Sequence, residues 1–153
     1  MTRIGIVTAA AVLALLATAG AWAAGMMGMM GMGRMSAARH QYVMRNGIGS
    51  EYAGLRNPLA RSEQNLATGQ ALYRGSCAAC HGEAGRGEGP AASSLNPPPA
   101  DLAAVVRTPM ATDGYLFWTI AEGGGPVGTA MPPFKSTLSD TDIWRIVLYL
   151  RGL

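Results

Sequence analysis

Residues 65–153 are predicted to form an all-α domain of three to five helices, behind an N-terminal apolar segment and an extended arm. Three observations carry this reading. Ile143, Ile146, Val147 and Leu150 repeat at i, i+3, i+4 and i+7 behind Ser139-x-x-Asp142, a capping-box pattern with aspartate in the glutamate position. A second apolar run, Tyr115, Leu116, Trp118 and Ile120, stands between Thr112-Asp113 and Gly123-Gly124-Gly125, a start signal and a stop signal for a helix over about Asp113 to Glu122. Between the domain start and that run lies Cys77-Ala78-Ala79-Cys80-His81, whose spacing puts both thiols and the imidazole on one face of a helical turn.

The chain starts with Met1-Thr2-Arg3, continues without charge from Ile4 to Ala21, and offers Ala21-Trp22-Ala23 as a small-residue cleavage site before Ala24. Residues 1–23 therefore read as a secretory signal. The uncharged stretch also reaches the lower limit for crossing a bilayer, so the alternative is an uncleaved membrane anchor. Residues 24–64 form the next segment. Six methionines, Met26, Met27, Met29, Met30, Met32 and Met35, alternate with glycines without helical or strand periodicity. They read either as a flexible spacer or, with His40, as a soft thioether site for copper(I). From Gln41 to Glu63 the turn signals Asn46-Gly47, Gly49 and Asn57-Pro58 point to an extended arm or short helices wrapping the surface.

Composition excludes several function classes. Charged residues make up 14% of the 153, well under the roughly 25% of an average soluble domain, and the twelve basic residues form no run or stripe to follow a phosphate backbone. No nucleic-acid partner is expected. The two histidines and scattered carboxylates show no pairing for acid–base or nucleophilic catalysis. Cys77 and Cys80 are the only cysteines, too few for a disulfide framework or a four-thiolate zinc site.

What remains is local chemistry at the C-x-x-C-H pattern: two thiols that add to the vinyl groups of one haem, and an adjacent imidazole, His81, that reaches its iron. A second axial ligand is expected from Met131, in Gly128-Thr129-Ala130-Met131-Pro132-Pro133, where the double proline stiffens the loop and biases Met131 toward extended backbone. Met110, the other methionine of the domain, lacks such prolines and reads as a core gap filler. Gly82 to Pro90 forms a glycine-rich turn, and Asn96 to Leu102 a proline-stiffened loop that either skirts the haem edge or simply connects. Arg74, Arg86 and Lys135 read as scattered surface charge or as a ring for an acidic redox partner.

From Asn65 to Leu153 these residues resemble class I cytochromes c. Gly69 and Tyr73 precede Cys77 by eight and four residues, where that family has a glycine and an aromatic on its first helix, and Ile146 and Tyr149 resemble their partners on the last helix. The resemblance implies a small cytochrome c fold around one covalent haem c. It also implies that the Pro90 carbonyl accepts from the far ring nitrogen of His81, the alternative being a simple turn proline; Trp118 and Trp144 read as haem-pocket or core aromatics. The implied function is one-electron transfer in an exported protein, as a free carrier or as the haem subunit of an oxidoreductase complex, with redox proteins as donor and acceptor. The alternative is a copper-handling or copper-sensing haem protein that uses the methionine-rich segment. Membrane association would come through an uncleaved N-terminal segment.

Overall fold

The computed structural model describes residues 34–153, of which Met35–Leu153 pack as one compact unit. The segment read as an export signal or anchor (residues 1–23) and Met26 to Met32 lie outside the described residues. No strand forms among the described residues. The helices are α1 Arg34–Asn46, α2 Ser50–Ala53, α3 Glu63–Ser76, α4 Ala78–His81, α5 Leu102–Val105, α6 Asp113–Glu122 and α7 Asp140–Leu150, with 3₁₀ turns at Ala92–Ser94 and Gly125–Val127.

Four helices start where side chains cap their free amides, α5 among them through Asp101 Oδ1, which accepts from Ala104 N–H. Ser62 Oγ accepts from Asn65 N–H and opens α3; Thr112 Oγ1 accepts from Tyr115 N–H and opens α6; Ser139 Oγ accepts from Asp142 N–H and opens α7. The two elements read from periodicity, α6 and α7, match their expected spans. Helix α3 begins two residues before the expected domain start, at the cap that Ser62 provides.

The principal packing is α3 across α7. Gly69 sits at the crossing: a Cβ there would collide with the Arg145 carbonyl and lie 3.2 Å from Tyr149 Cβ, so only glycine lets the two backbones approach this closely. One turn along, the Tyr73 and Tyr149 rings lie 5.1 Å apart. Tyr73 is fully buried with Ile143, Ile146 and Val147, and its hydroxyl donates to the Gly82 carbonyl at 2.7 Å. Helix α6 is buried along most of its length and closes the core against α7.

The segment expected as an extended arm or short helices forms α1 and α2 and packs onto the domain. Helix α1 stacks Tyr42 on Trp118, with ring centroids 6.0 Å apart and planes 13° from parallel. Tyr52 of α2 packs on Phe117 and donates its hydroxyl to Glu122 Oε1 at 2.5 Å. Asn57 gives its backbone N–H to Asp113 and its side-chain amide to the Trp144 carbonyl. The physical reason is apolar area: Tyr42, Val43, Ile48, Tyr52, Leu55 and Leu59 all pack against the core, which offsets the cost of ordering the segment.

The crossing makes a prediction with an internal control. Gly69→Val lowers stability by about 1–3 kcal/mol through overpacking, read as a drop in the midpoint of denaturant unfolding. Gly75→Ala in the same helix, where a Cβ meets nothing within 4 Å, leaves stability unchanged or raises it by up to about 1 kcal/mol.

Candidate functional site

Cys77 is the corner between two helices. Its N–H closes α3 onto the Tyr73 carbonyl, and its carbonyl accepts from Cys80 N–H at 3.1 Å and His81 N–H at 2.9 Å to start the single turn of α4. That turn brings Cys77, Cys80 and His81 to one face. Gly82, at φ +75°, ends it in a conformation that favours glycine. Both thiols are free and partly buried; burial pushes the Cys77 thiol up to about 12, so it stays protonated at neutral pH.

His81 is 8% exposed, and its Nδ1 lies 3.0 Å from the Ala100 carbonyl. A carbonyl only accepts, so Nδ1 carries the proton and Nε2 keeps its lone pair for a metal. Burial also holds the ring's pKa below its usual value, which favours the neutral form a ligand needs.

Met131 is held by a separate clip. Gly124 N–H donates to the Met131 carbonyl at 2.8 Å, and Thr129 N–H donates to the Gly124 carbonyl at 3.0 Å. Beyond the prolines, Phe134 and Lys135 give their N–H groups to the Ile120 and Ala121 carbonyls, satisfying acceptors that the end of α6 leaves free. Gly123, at φ +69°, passes so close to the loop that a Cβ would lie 2.6 Å from the Pro132 backbone; one on Gly124 would strike the Thr129 hydroxyl. Glu122 completes the clip by accepting from Lys135 Nζ at 2.7 and 2.9 Å and from Tyr52.

The two pieces meet across a slot with two lobes. One, of about 480 Å³, is walled by the motif, Leu95, Pro97, Pro99 and the loop Thr129–Pro132. The other, of about 690 Å³, reaches inward past Tyr73, Ala100, Leu116, Ile120, Ile146 and Leu150 to Arg39. Cys77, His81 and Met131 wall both lobes. The mostly apolar walls with a few convergent polar groups suit a bound cofactor. The donor set suits a haem: two thiols for its vinyl groups, an imidazole with a free Nε2, a thioether, and a buried Arg39 Nη1 without a hydrogen-bond partner.

Two expectations about individual residues need correction. Pro90 is not the partner of His81; Gly89 and Ala91 pin its exposed turn to the Cys80 and Ala79 carbonyls on the outer side of α4, and Ala100 of the proline loop takes the ring nitrogen instead. Trp118 lines neither lobe. On α6, Tyr115, Leu116, Thr119 and Ile120 face the slot, while Trp118 falls on the adjoining face beneath α1. Trp144 packs on Phe117 at 4.4 Å in the core. Met110 lies away from the slot, its Sδ 2.6 Å from His40 Nδ1. Arg74 and Lys135 pair with Glu83 and Glu122, so they do not stand as a free basic ring. Sequence reasoning missed Ala100, which acts through its backbone and leaves no side-chain signal, and Arg39, whose surroundings come from helices far apart in the chain.

The clip carries a pH prediction. Hydrogen bonds from Lys135 and Tyr52 hold Glu122 below the usual glutamate value of 4.5. A lowered folded value stabilises the fold fully above the unfolded pKa, and that contribution is lost as pH falls through the folded pKa. Glu122→Gln therefore flattens the acid side of the stability profile below about pH 5. Because the Lys135 side chain is 58% exposed, the difference stays under about 1 kcal/mol, measured by urea unfolding at stepped pH.

Comparison with known proteins identifies the family of the domain. Residues 64–150 match the family model described as cytochrome c oxidase, cbb3-type, subunit III, a match over more than half of the chain. No curated protein matches the chain. Among solved structures it is similar to a chain of the reducing HAO-like protein complex of Kuenenia stuttgartiensis, with 28% identity and a TM-score of 0.53 over 65% of this chain and 47% of that one. The chain thus spans about half the length of that relative. The single Cys77–His81 motif, the all-helical fold and the family match converge, and the chain belongs to the cbb3-type subunit III family as a class I c-type cytochrome with one haem-attachment motif.

Proposed function

We propose that this protein is a one-electron carrier in which Cys77 and Cys80 hold one haem c through thioethers and His81 and Met131 supply its two axial ligands. The family supports the coarse chemistry, haem-based electron transfer. The observation that carries the finer reading is that His81 and Met131 wall both lobes of one slot, each delivered by its own backbone clip. When bound, the haem supplies a one-electron couple whose potential His/Met ligation raises. The chain's part is to hold both ligands in one geometry. His81 donates Nδ1–H to Ala100, which fixes the ring plane and strengthens the opposite nitrogen as a donor. The Gly124 N–H on the Met131 carbonyl and the stiff Pro132-Pro133 pair hold Met131 against the slot. With His81 and Met131 both holding the group, no site for substrate or oxygen would be left, and the chemistry it would supply is one-electron transfer without bond making.

The N-terminal segment read as signal or anchor supports a placement outside the cytoplasmic membrane, free or tethered. No helix among the described residues is long and apolar enough to cross a membrane. Likeness to a component of a redox complex supports a role as a haem subunit, with protein donor and acceptor. The copper reading has no supporting observation: its methionines from Met26 to Met32 lie outside the described residues, and no group of three or more His, Cys, Asp or Glu side chains able to hold a metal occurs among those described.

Two measurements check this. The oxidised protein, produced in a host that attaches haem, shows the weak sulfur-to-iron charge-transfer band in the far red, and Met131→Ala abolishes it while the covalent haem mass persists; a parent that lacks the band or binds carbon monoxide readily has an open iron position and overturns the carrier reading. Gly124→Val presses on Thr129 and on Met131 Cβ, displaces the loop, and weakens the same band although both ligand residues are kept.

A further inference from the structure

Arg39 of α1 is 6% exposed. Its guanidinium lies 5.2 Å above the Trp118 ring, its Nη2 donates to the Gly123 carbonyl at 3.1 Å, and its Nη1 has no partner. No carboxylate pairs with it among the described residues, and the sequence contains no Asp or Glu before Glu51, so the residues before α1 cannot supply one. A guanidinium stays charged at any physiological pH, and a buried charge without a counter-ion costs several kcal/mol. Trp118 relieves part of that through its ring face. The remaining demand is directed into the slot that Arg39 walls.

We propose that Arg39 is the counter-cation for the cofactor's carboxylates, so that α1, which precedes the family domain, forms part of the haem site. The proposal rests on the haem reading above. Haem carries its two carboxylates on the side of the ring opposite its vinyl groups; with the vinyls at Cys77 and Cys80, the carboxylates extend away from the motif. Nη1 provides a charge-assisted hydrogen bond to one of them while Nη2 stays on Gly123. Through Gly123 the same side chain touches the clip that holds Met131, which links the carboxylate edge to the axial ligand.

The test uses the full holoprotein with Arg39→Gln and Arg39→Lys, read by intact mass, redox titration and the propionate bending bands of the resonance Raman spectrum. Arg39→Gln retains the covalent haem but leaves a carboxylate uncompensated. This shifts the equilibrium about tenfold toward the oxidised form, equivalent to a potential lower by ~59 mV, and moves the propionate bands. Arg39→Lys keeps the charge, loses the planar fork, and moves the bands with a smaller shift in potential. If Arg39→Gln does not fold, Arg39→Lys alone decides through its bands. Unchanged bands and potential in a haem-loaded variant overturn the proposal and leave Arg39 as a clamp between α1 and Trp118. A parent protein whose mass shows no covalent haem overturns the haem reading instead, independently of either variant.

Discussion

The contact between α3 and α7 at Gly69 is the constraint from which the rest of the architecture follows. Two helix backbones meet there with no side chain between them, and the close approach sets where α3 ends. Its last turn delivers Tyr73 to the core and Cys77 to the corner, and the Tyr73 hydroxyl reaches beyond the corner to hold Gly82. The motif is thereby fixed at both ends before any cofactor contributes. A wider crossing would move the thiols and the imidazole together, since all three share one helical turn.

The opposite wall is built independently. Gly123 and Gly124 let the Met131 loop fold back on the end of α6, and Phe134 and Lys135 satisfy the carbonyls of that end. The two side chains proposed as iron ligands thus depend on different backbone supports, α3–α7 for His81 and α6 for Met131. Loss of one leaves the other in place. For an electron carrier this division is useful: each ligand is restrained by hydrogen bonds among main-chain groups, which do not rearrange when the charge of a bound metal changes by one unit.

The legible parts of the sequence were those written in side-chain pattern. Caps and apolar periodicity delimited α6 and α7, and the resemblance of Gly69, Tyr73, Ile146 and Tyr149 to class I cytochromes c implied the crossing. The C-x-x-C-H turn and the Met131 loop wall one slot. What was hidden was written in backbone or in long-range contact. Ala100 contributes a carbonyl, which any residue possesses, and the choice between it and Pro90 depends on how the glycine-rich turn lies against α4. Helix α1 has a polar sequence and little amphipathic signal; its value comes from Tyr42 and Arg39 meeting Trp118, seventy-odd residues away.

Helix α1 also bears on where the folding unit ends. The family match begins at residue 64, yet the compact unit begins at Met35, and the aromatic face of Trp118 is covered from before the family boundary. A domain excised at that boundary would expose Trp118, strip Tyr52 from Glu122 and open one wall of the slot. Transplanting the family domain alone into another chain is therefore not neutral: the recipient must provide its own cover for α6, and the leader that accompanies the domain becomes a variable that alters the cofactor's surroundings while the attachment motif stays the same.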